Sequence, residues 1–299
     1  MKSRAIVPEN LELEVKANWG AAGDAWLQSL PERIRTLQTS LGLKELAPEV
    51  GMSLHWVGHG LQQQQAVTLK LGIPAAEFAQ EIRAMTRLQA HPHMVRLLDS
   101  APDEGWMLME RVQPGDPLSR LDDDGAALEV WLSELSFVPA TELDQQRFPD
   151  LRTWCRALWA PAPAIPESLL ELARSQCHDL IESETASLLL HGDLHHDNLI
   201  RSESKGWVLI DPKGVIAGPE FELGAMLRNP YPHWNQDAEL LKKLQLRLER
   251  IAADPRLRLE RVMNWAFVQA VLAACWSSPD PGAMALWLNV ARAFDELGK

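Results

Sequence analysis

The 299-residue sequence predicts an α+β chain of two lobes, a small β-rich one followed by a larger helical one. Three features predict it. Short apolar runs bounded by turn residues fill Lys44 to Val112. A Pro/Gly break, "QPGDP", follows at Gln113–Pro117. Beyond it apolar residues recur at helical spacing, interrupted once by a small hairpin. The lobes are read as residues 1–112 and 113–299, with a cleft between them.

The elements follow in order. Trp26, Leu27, Leu30, Ile34, Leu37 and Leu41 fall near helical spacing, and Pro31 predicts two short helices there rather than one. Strands are expected at Lys44–Val50, Leu54–Val57 and Ala66–Leu71, with Gly51 in the first turn and "GHGLQQQ" as the second. A helix over "AAEFAQEIRAMTRLQA" puts Phe78, Ile82, Met85 and Leu88 on one face. "MVRLLDS" and "WMLMERV" give two more strands around the turn "APDEG". In the second lobe a helix runs from Pro166 to Glu184, with proline in its first turn. "NLIRS" and "WVLID" form a hairpin around "ESKG", and helices occupy the chain from Glu220 onward. The apolar run Met263–Trp276 is too short to span a bilayer and carries Asn264 and Gln269, so it is read as a buried helix.

Composition narrows the function classes. Against 41 acidic residues stand 29 basic ones, and the net charge of −12 argues against a nucleic-acid surface. The three cysteines are far apart and form no CxxC pair, which argues against a disulfide scaffold or a zinc ribbon and fits a reducing compartment, the cytoplasm. The first sixteen residues hold no apolar core of signal-peptide length. Most of the twelve tryptophans are expected in the core. From Asp103 to Asp150 twelve acids face only three arginines. That segment is either a solvated face or a surface for a cationic ligand. Asp116, Asp122, Asp123 and Asp124 are the acids in it read as substrate contacts.

The chemistry concentrates in "LLLHGDLHHDNLI", Leu188–Ile200. One reading is a zinc or iron site on His191 and His195, but Gly192 and Asn198 argue for a loop, and no second Cys/His cluster lies nearby in sequence. The other reading is phosphoryl transfer from ATP. That reaction needs a carboxylate beside the acceptor hydroxyl, and an amide oxygen with a second carboxylate to hold Mg²⁺ against the phosphates. Asp193, then Asn198 five residues on, then Asp211 at the end of the hairpin, supply those groups in the order of a protein-kinase catalytic loop. Asp193 is the candidate base; Asn198 and Asp211 are the candidate metal ligands.

The first lobe offers the nucleotide groups. Lys70 lies in the third strand, where a lysine reaches the α- and β-phosphates, and Glu81 on the next helix is its candidate ion-pair partner, with Glu77 as the alternative. "MERV" ends the fifth strand and is read as a hinge, with the backbone at Glu110 and Val112 binding the adenine edge. The phosphate loop departs from the G-x-G-x-x-G pattern: only Gly51 and Ser53 in "VGMSLHW" are available.

"HGDLHHDNLI" together with "IDPKGVIAGPEFELGAMLRNP" resembles the aminoglycoside and hydroxyurea phosphotransferase family, the group of streptomycin 6-kinases. "AWLQSLP" and "LKLG" extend the resemblance over nearly the whole chain. It implies a protein-kinase-like fold, ATP and Mg²⁺ as cofactors, Asp193 as base, and Asn198 and Asp211 as metal ligands. Glu222 departs from it, standing in "PEFE" where the resemblance leads one to expect Asp, and is read as structural. Lys213 either reaches a phosphate or pairs with a nearby acid. Of His195 and His196, one is expected to order the loop by hydrogen bonding. The acceptor expected is a streptomycin-type, cationic small molecule; hydroxyurea or an endogenous metabolite is the alternative. An ATP-binding module without turnover is the reading from another class, and the complete set Lys70, Asp193, Asn198 and Asp211 argues against it. Neither nucleic acid nor membrane is expected as a partner, and oligomeric state is left open.

Overall fold

The computed structural model describes residues 6–49, 54–229, 237–277 and 280–299. The chain divides into two compact units, Met1–Gln113 and Pro114–Lys299.

The first unit begins with helix α1, Glu9–Ser40. Its break lies at Gly20 (φ 51°, ψ −127°) rather than at Pro31, which the second half carries without interruption. Gly20 takes a backbone conformation that side chains disfavour. The two halves then meet closely: a Cβ on Gly23 would lie 2.6 Å from the carbonyl oxygen of Val15. Strands β1 (Lys44–Pro48), β2 (Trp56–Gln62) and β3 (Gln65–Leu71) follow. Then come helix α2 (Ala76–Leu88) and strands β4 (Leu97–Ala101) and β5 (Trp106–Glu110). They form an antiparallel sheet in the order β1-β2-β3-β5-β4.

"GHG" is strand rather than turn. The β2–β3 hairpin closes on Gln63 and Gln64, with φ of 48° and 70°, the left-handed pair that a two-residue hairpin matching strand twist requires. Gly58 inside β2 has its own reason: a Cβ there would lie 2.3 Å from the Trp56 indole. The apolar face of α1, with Leu11, Leu27, Leu30 and Leu37, packs on Val67, Leu69, Leu71 and Leu108 of the sheet. Each such side chain fully buried contributes about 1.5–3 kcal/mol. Trp26 fixes the contact by donating to the Gly72 carbonyl at 3.0 Å.

The second unit opens with strand β6, Pro114–Pro117, so part of the expected Pro/Gly break is a paired strand. Next are α3 (Asp124–Glu134), β7 (Val138–Pro139), α4 (Glu142–Arg147), α5 (Leu151–Trp154) and α6 (Glu167–Glu182). Strands β8 (Leu188–Leu190), β9 (Leu199–Ser202), β10 (Gly206–Leu209) and β11 (Val215–Ala217) follow. The chain ends in α7 (Pro219–Leu227), α8 (Asp237–Ile251), α9 (Leu259–Trp276) and α10 (Pro281–Leu297). Two three-stranded sheets result, ordered β10-β9-β6 and β11-β8-β7. Helix α9 is the core of this unit. Val262, Trp265, Val268 and Val271 are fully buried on it, with α6, α7 and α10 around it. No helix among the described residues is long and apolar enough to cross a membrane. The fold is protein-kinase-like: an antiparallel-sheet unit followed by a helical one.

Candidate active site

Two loops of the second unit carry the predicted chemistry. His191–Asn198 joins β8 to β9, and Ile210–Gly214 joins β10 to β11. Backbone bonds stitch them together. Ile210 donates to the Asn198 carbonyl at 3.0 Å, and Lys213 and Gly214 donate to the His191 carbonyl at 2.8 and 3.0 Å. The His191 ring closes the same seam, its Nε2 donating to the Ile210 carbonyl at 2.8 Å. Gly192 has φ 84°, and a Cβ on it would lie 3.1 Å from Val215, so glycine answers both the conformation and the close approach. Asp211 has φ 58°, a strained conformation for a residue with a side chain.

Within the first loop Asn198 is buried, and its Nδ2 donates to the Asp193 carbonyl at 2.8 Å. With the amide nitrogen so engaged, its Oδ1 is directed elsewhere as a hard oxygen donor. With the Asp211 carboxylate across the seam, that donor set fits Mg²⁺, which takes few protein ligands and completes its shell with phosphates and water. Among the described residues no group of three or more His, Cys, Asp or Glu could hold a metal ion, so the zinc or iron reading has no ligand cluster to stand on.

Helices brace the loop from several directions. Buried Glu222 of α7 accepts from the Gly192 N–H at 3.0 Å. The structural role read for Glu222 thus has a geometry. Burial pushes its carboxyl up to about 7, against the loop N–H groups that favour the anion. Trp131 of α3, fully buried, donates to the Leu194 carbonyl at 2.7 Å. His195 caps the turn at Asp197, accepting from its N–H at 3.1 Å, and is the loop-ordering histidine. His196 is buried beside Arg247, which pairs through two nitrogens with Asp124 and also donates to the Met226 carbonyl. Burial and the Arg247 charge lower His196 to about 3, and burial lowers His191 to about 4.

These three shifted groups make stability depend on pH. The histidines bind protons in the unfolded chain below pH 6.5 but remain neutral in the fold down to about 4 and 3. Their contribution is present above 6.5 and lost as pH falls. Glu222, raised from 4.5 to about 7, acts with the opposite sign between those values. Two groups against one leave about one proton, so between about pH 5 and 6 stability should rise by about 1 kcal/mol per pH unit. His59, also lowered by burial, acts in the same direction as the two histidines. Urea denaturation across that range should show this slope, and His196→Gln should reduce it by about 1 kcal/mol per pH unit. An unchanged slope in the variant would rule out His196 as a source.

The first unit brings Lys70 and Glu81 together. Lys70 Nζ lies 2.7 Å from Glu81 Oε1, with side-chain exposures of 4% and 2%. The alternative, Glu77, is exposed one turn earlier. At the expected hinge, the Glu110 N–H donates to the Arg96 carbonyl at 3.0 Å and is taken by the β4–β5 edge. The Val112 N–H is outside any hydrogen bond among the described residues. Gly51 and Ser53 lie outside the described residues.

The acidic segment does more structural work than its composition implied. Asp123 caps α3, accepting from Ala126 at 3.0 Å, and Asp124 is the partner of Arg247. Burial raises the Asp124 carboxyl, but the Arg247 bond and charge outweigh this and hold it below the usual range. Asp116 pairs with Arg120. Asp122–Asp124 line a pocket that Lys242, Lys243 and Arg250 of α8 also line, so basic groups meet that run. Sequence periodicity could have found Arg247, which falls on the apolar face of α8 with Leu240, Leu244 and Leu248. Arg228 was also missed; its Nη2 donates to Asp193 Oδ1 at 3.0 Å. Its only signal was a cation ending the apolar run "FELGAMLRN".

Comparison with known proteins bears on the family and the fold. The sequence model described as aminoglycoside/hydroxyurea antibiotic resistance kinase matches residues 50–281. A streptomycin 6-kinase of Streptomyces glaucescens is 26% identical over 285 residues, covering 93% of this chain and 92% of that protein. A hydroxyurea phosphotransferase of Kitasatospora aureofaciens is 28% identical over 297 residues, covering 94% and 82%. The fold is shared with choline kinase LicA from Streptococcus pneumoniae (TM-score 0.64, 12% identity, 89% of this chain and 99% of that one). It is also shared with a thermostable aminoglycoside phosphotransferase APH(4)-Ia variant in ternary complex with ADP and hygromycin B (TM-score 0.59, 13% identity, 87% and 97%). From the family match over most of its length and the kinase-like fold, the chain belongs to the aminoglycoside/hydroxyurea antibiotic resistance kinases, enzymes that phosphorylate small molecules.

Proposed function

We propose that the protein transfers the γ-phosphoryl group of ATP to a hydroxyl of a streptomycin-type aminoglycoside, inactivating it, in the cytoplasm where ATP is supplied. The observation that carries the reaction is the braced loop that sets Asp193 beside Asn198 and ties both to the Asp211 segment. The acceptor hydroxyl donates to the Asp193 carboxylate, which takes its proton as the new oxygen–phosphorus bond forms and the bond to ADP breaks. Asn198 and Asp211 would hold Mg²⁺, which neutralises phosphate charge when bound. The first unit contributes Lys70 toward the α- and β-phosphates, held by Glu81, and the backbone at Glu110 and Val112 toward the adenine edge. Gly51 and Ser53 are its candidate phosphate-loop residues. The second unit contributes the base and the acceptor site. Support for the acceptor comes from the streptomycin 6-kinase relatives.

A neutral acceptor such as hydroxyurea is the second reading. It is favoured by the pairing of Asp116 with Arg120 and of Asp124 with Arg247, by the use of Asp123 as a helix cap, and by the hydroxyurea phosphotransferase relative. The two readings separate on salt. Streptomycin carries guanidinium groups, and exposed carboxylates raise its local concentration in a screened manner. Its KM should therefore rise with ionic strength more steeply than the KM for ATP. Asp116→Asn or Asp122→Asn should raise the streptomycin KM and leave the ATP KM unchanged. Asp123 and Asp124 are poor probes, since a helix cap and a buried arginine depend on them. Steady-state kinetics at two ionic strengths make the test. A streptomycin KM that ignores both salt and these substitutions, or turnover with hydroxyurea alone, selects the neutral acceptor.

A further inference from the structure

We infer that Arg228 is a positioning residue for phosphoryl transfer: it holds one oxygen of Asp193 and leaves the other to receive the acceptor hydroxyl. The inference rests on the reading of Asp193 as the base. Arg228 closes helix α7, six residues after Glu222. One helix therefore grips the loop twice, its backbone through Glu222 and its carboxylate through Arg228. The helix is itself fixed to α9. Gln269 donates to the Phe221 carbonyl at 2.6 Å, and a Cβ on Gly224 would lie 2.3 Å from the Gln269 amide carbon.

The Arg228 side chain is 12% exposed and lies 5.7 Å from the centre of the Trp287 ring of α10. Among the described residues, Asp193 and that indole are what hold the guanidinium. Its bond goes to Oδ1. Oδ2 has no hydrogen-bond partner among the described residues; His195 Nε2 stands 3.8 Å away, beyond bonding distance. A carboxylate with one oxygen clamped cannot rotate freely about its last bond, so the second oxygen presents a single direction. A base fixed in this way loses less entropy on reaching the transition state, and the benefit falls on kcat. An arginine retained only for packing would give no such benefit.

The test uses ADP release by the full-length protein, with streptomycin and with water alone as acceptor. Arg228→Ala should lower kcat about 10–100-fold, with the ATP KM within about twofold of wild type. Millimolar guanidinium chloride, compared with sodium chloride at equal ionic strength, should restore part of the lost rate to Arg228→Ala but none to Asp193→Asn. If Arg228→Ala does not fold, Arg228→Met, whose stem can still pack on Trp287, carries the test through the same kcat and KM split. In an Asp193→Asn background, either Arg228 substitution should cost nothing further. Wild-type kcat in Arg228→Met, or losses that follow the melting temperature and are not rescued, would overturn the inference while an inactive Asp193→Asn leaves the base assignment standing. Near wild-type turnover in Asp193→Asn would remove the base assignment and this inference with it.

Discussion

Asp193→Asn should lower turnover by at least about 10²-fold, because a positioned base contributes at least that much. Mg-ATP affinity should remain nearly unchanged. Asparagine keeps the size of the side chain, and the Asp193 carbonyl that Asn198 binds at 2.8 Å belongs to the backbone, so the loop keeps its shape. Asp211→Asn should divide the effects the other way, weakening Mg²⁺-dependent ATP binding because the carboxylate read as a ligand is gone. Titration of each variant with Mg-ATP, alongside its turnover with a confirmed acceptor, separates the two roles. Turnover near wild type in Asp193→Asn would assign the base elsewhere. Undiminished ATP binding in Asp211→Asn would remove it from the metal site.

What the sequence made legible, and what it hid, follows from the range of the interactions involved. Asp193, Asn198 and Asp211 could be picked out as candidates because the pattern they form is set by local spacing on a loop and the hairpin after it. Helix α2 was readable because one face repeats at helical period. The kink of α1 was misplaced because proline is a strong local signal. The close packing that favours a left-handed glycine at position 20 appears only once Gly23 meets Val15. "GHG" misled for a similar reason: glycines normally mark turns, but Gly58 makes room for an indole two residues away. Partners distant in the chain were least legible. Asp124 and Arg247 are 123 residues apart, and nothing in an acidic run tells which member will be neutralised. A substrate surface read from composition alone therefore counted charges that the fold spends on itself.

Glu81→Ala should cost both activity and stability, and the two losses should be separable. Lys70 and Glu81 are almost fully buried, 2.7 Å apart. Removing the carboxylate leaves an ammonium in a low-dielectric site without that partner, which typically destabilises by about 3–5 kcal/mol. Lys70→Met should do the same from the other side. Replacing both with apolar residues, Lys70→Met with Glu81→Leu, removes both buried charges at once, so much of the lost stability should return. Activity should not return, since the group read as the phosphate contact is still missing. In turnover the double variant should be little worse than the weaker single, because a lysine and the residue that holds it act as one unit. Chemical denaturation and ADP release measured on the same three variants give the comparison. If activity recovered along with stability in the double variant, the pair would be a packing element rather than part of the nucleotide site. If the two activity losses multiplied, Glu81 would not act through Lys70, and the orientation of that lysine would have to come from another of its neighbours.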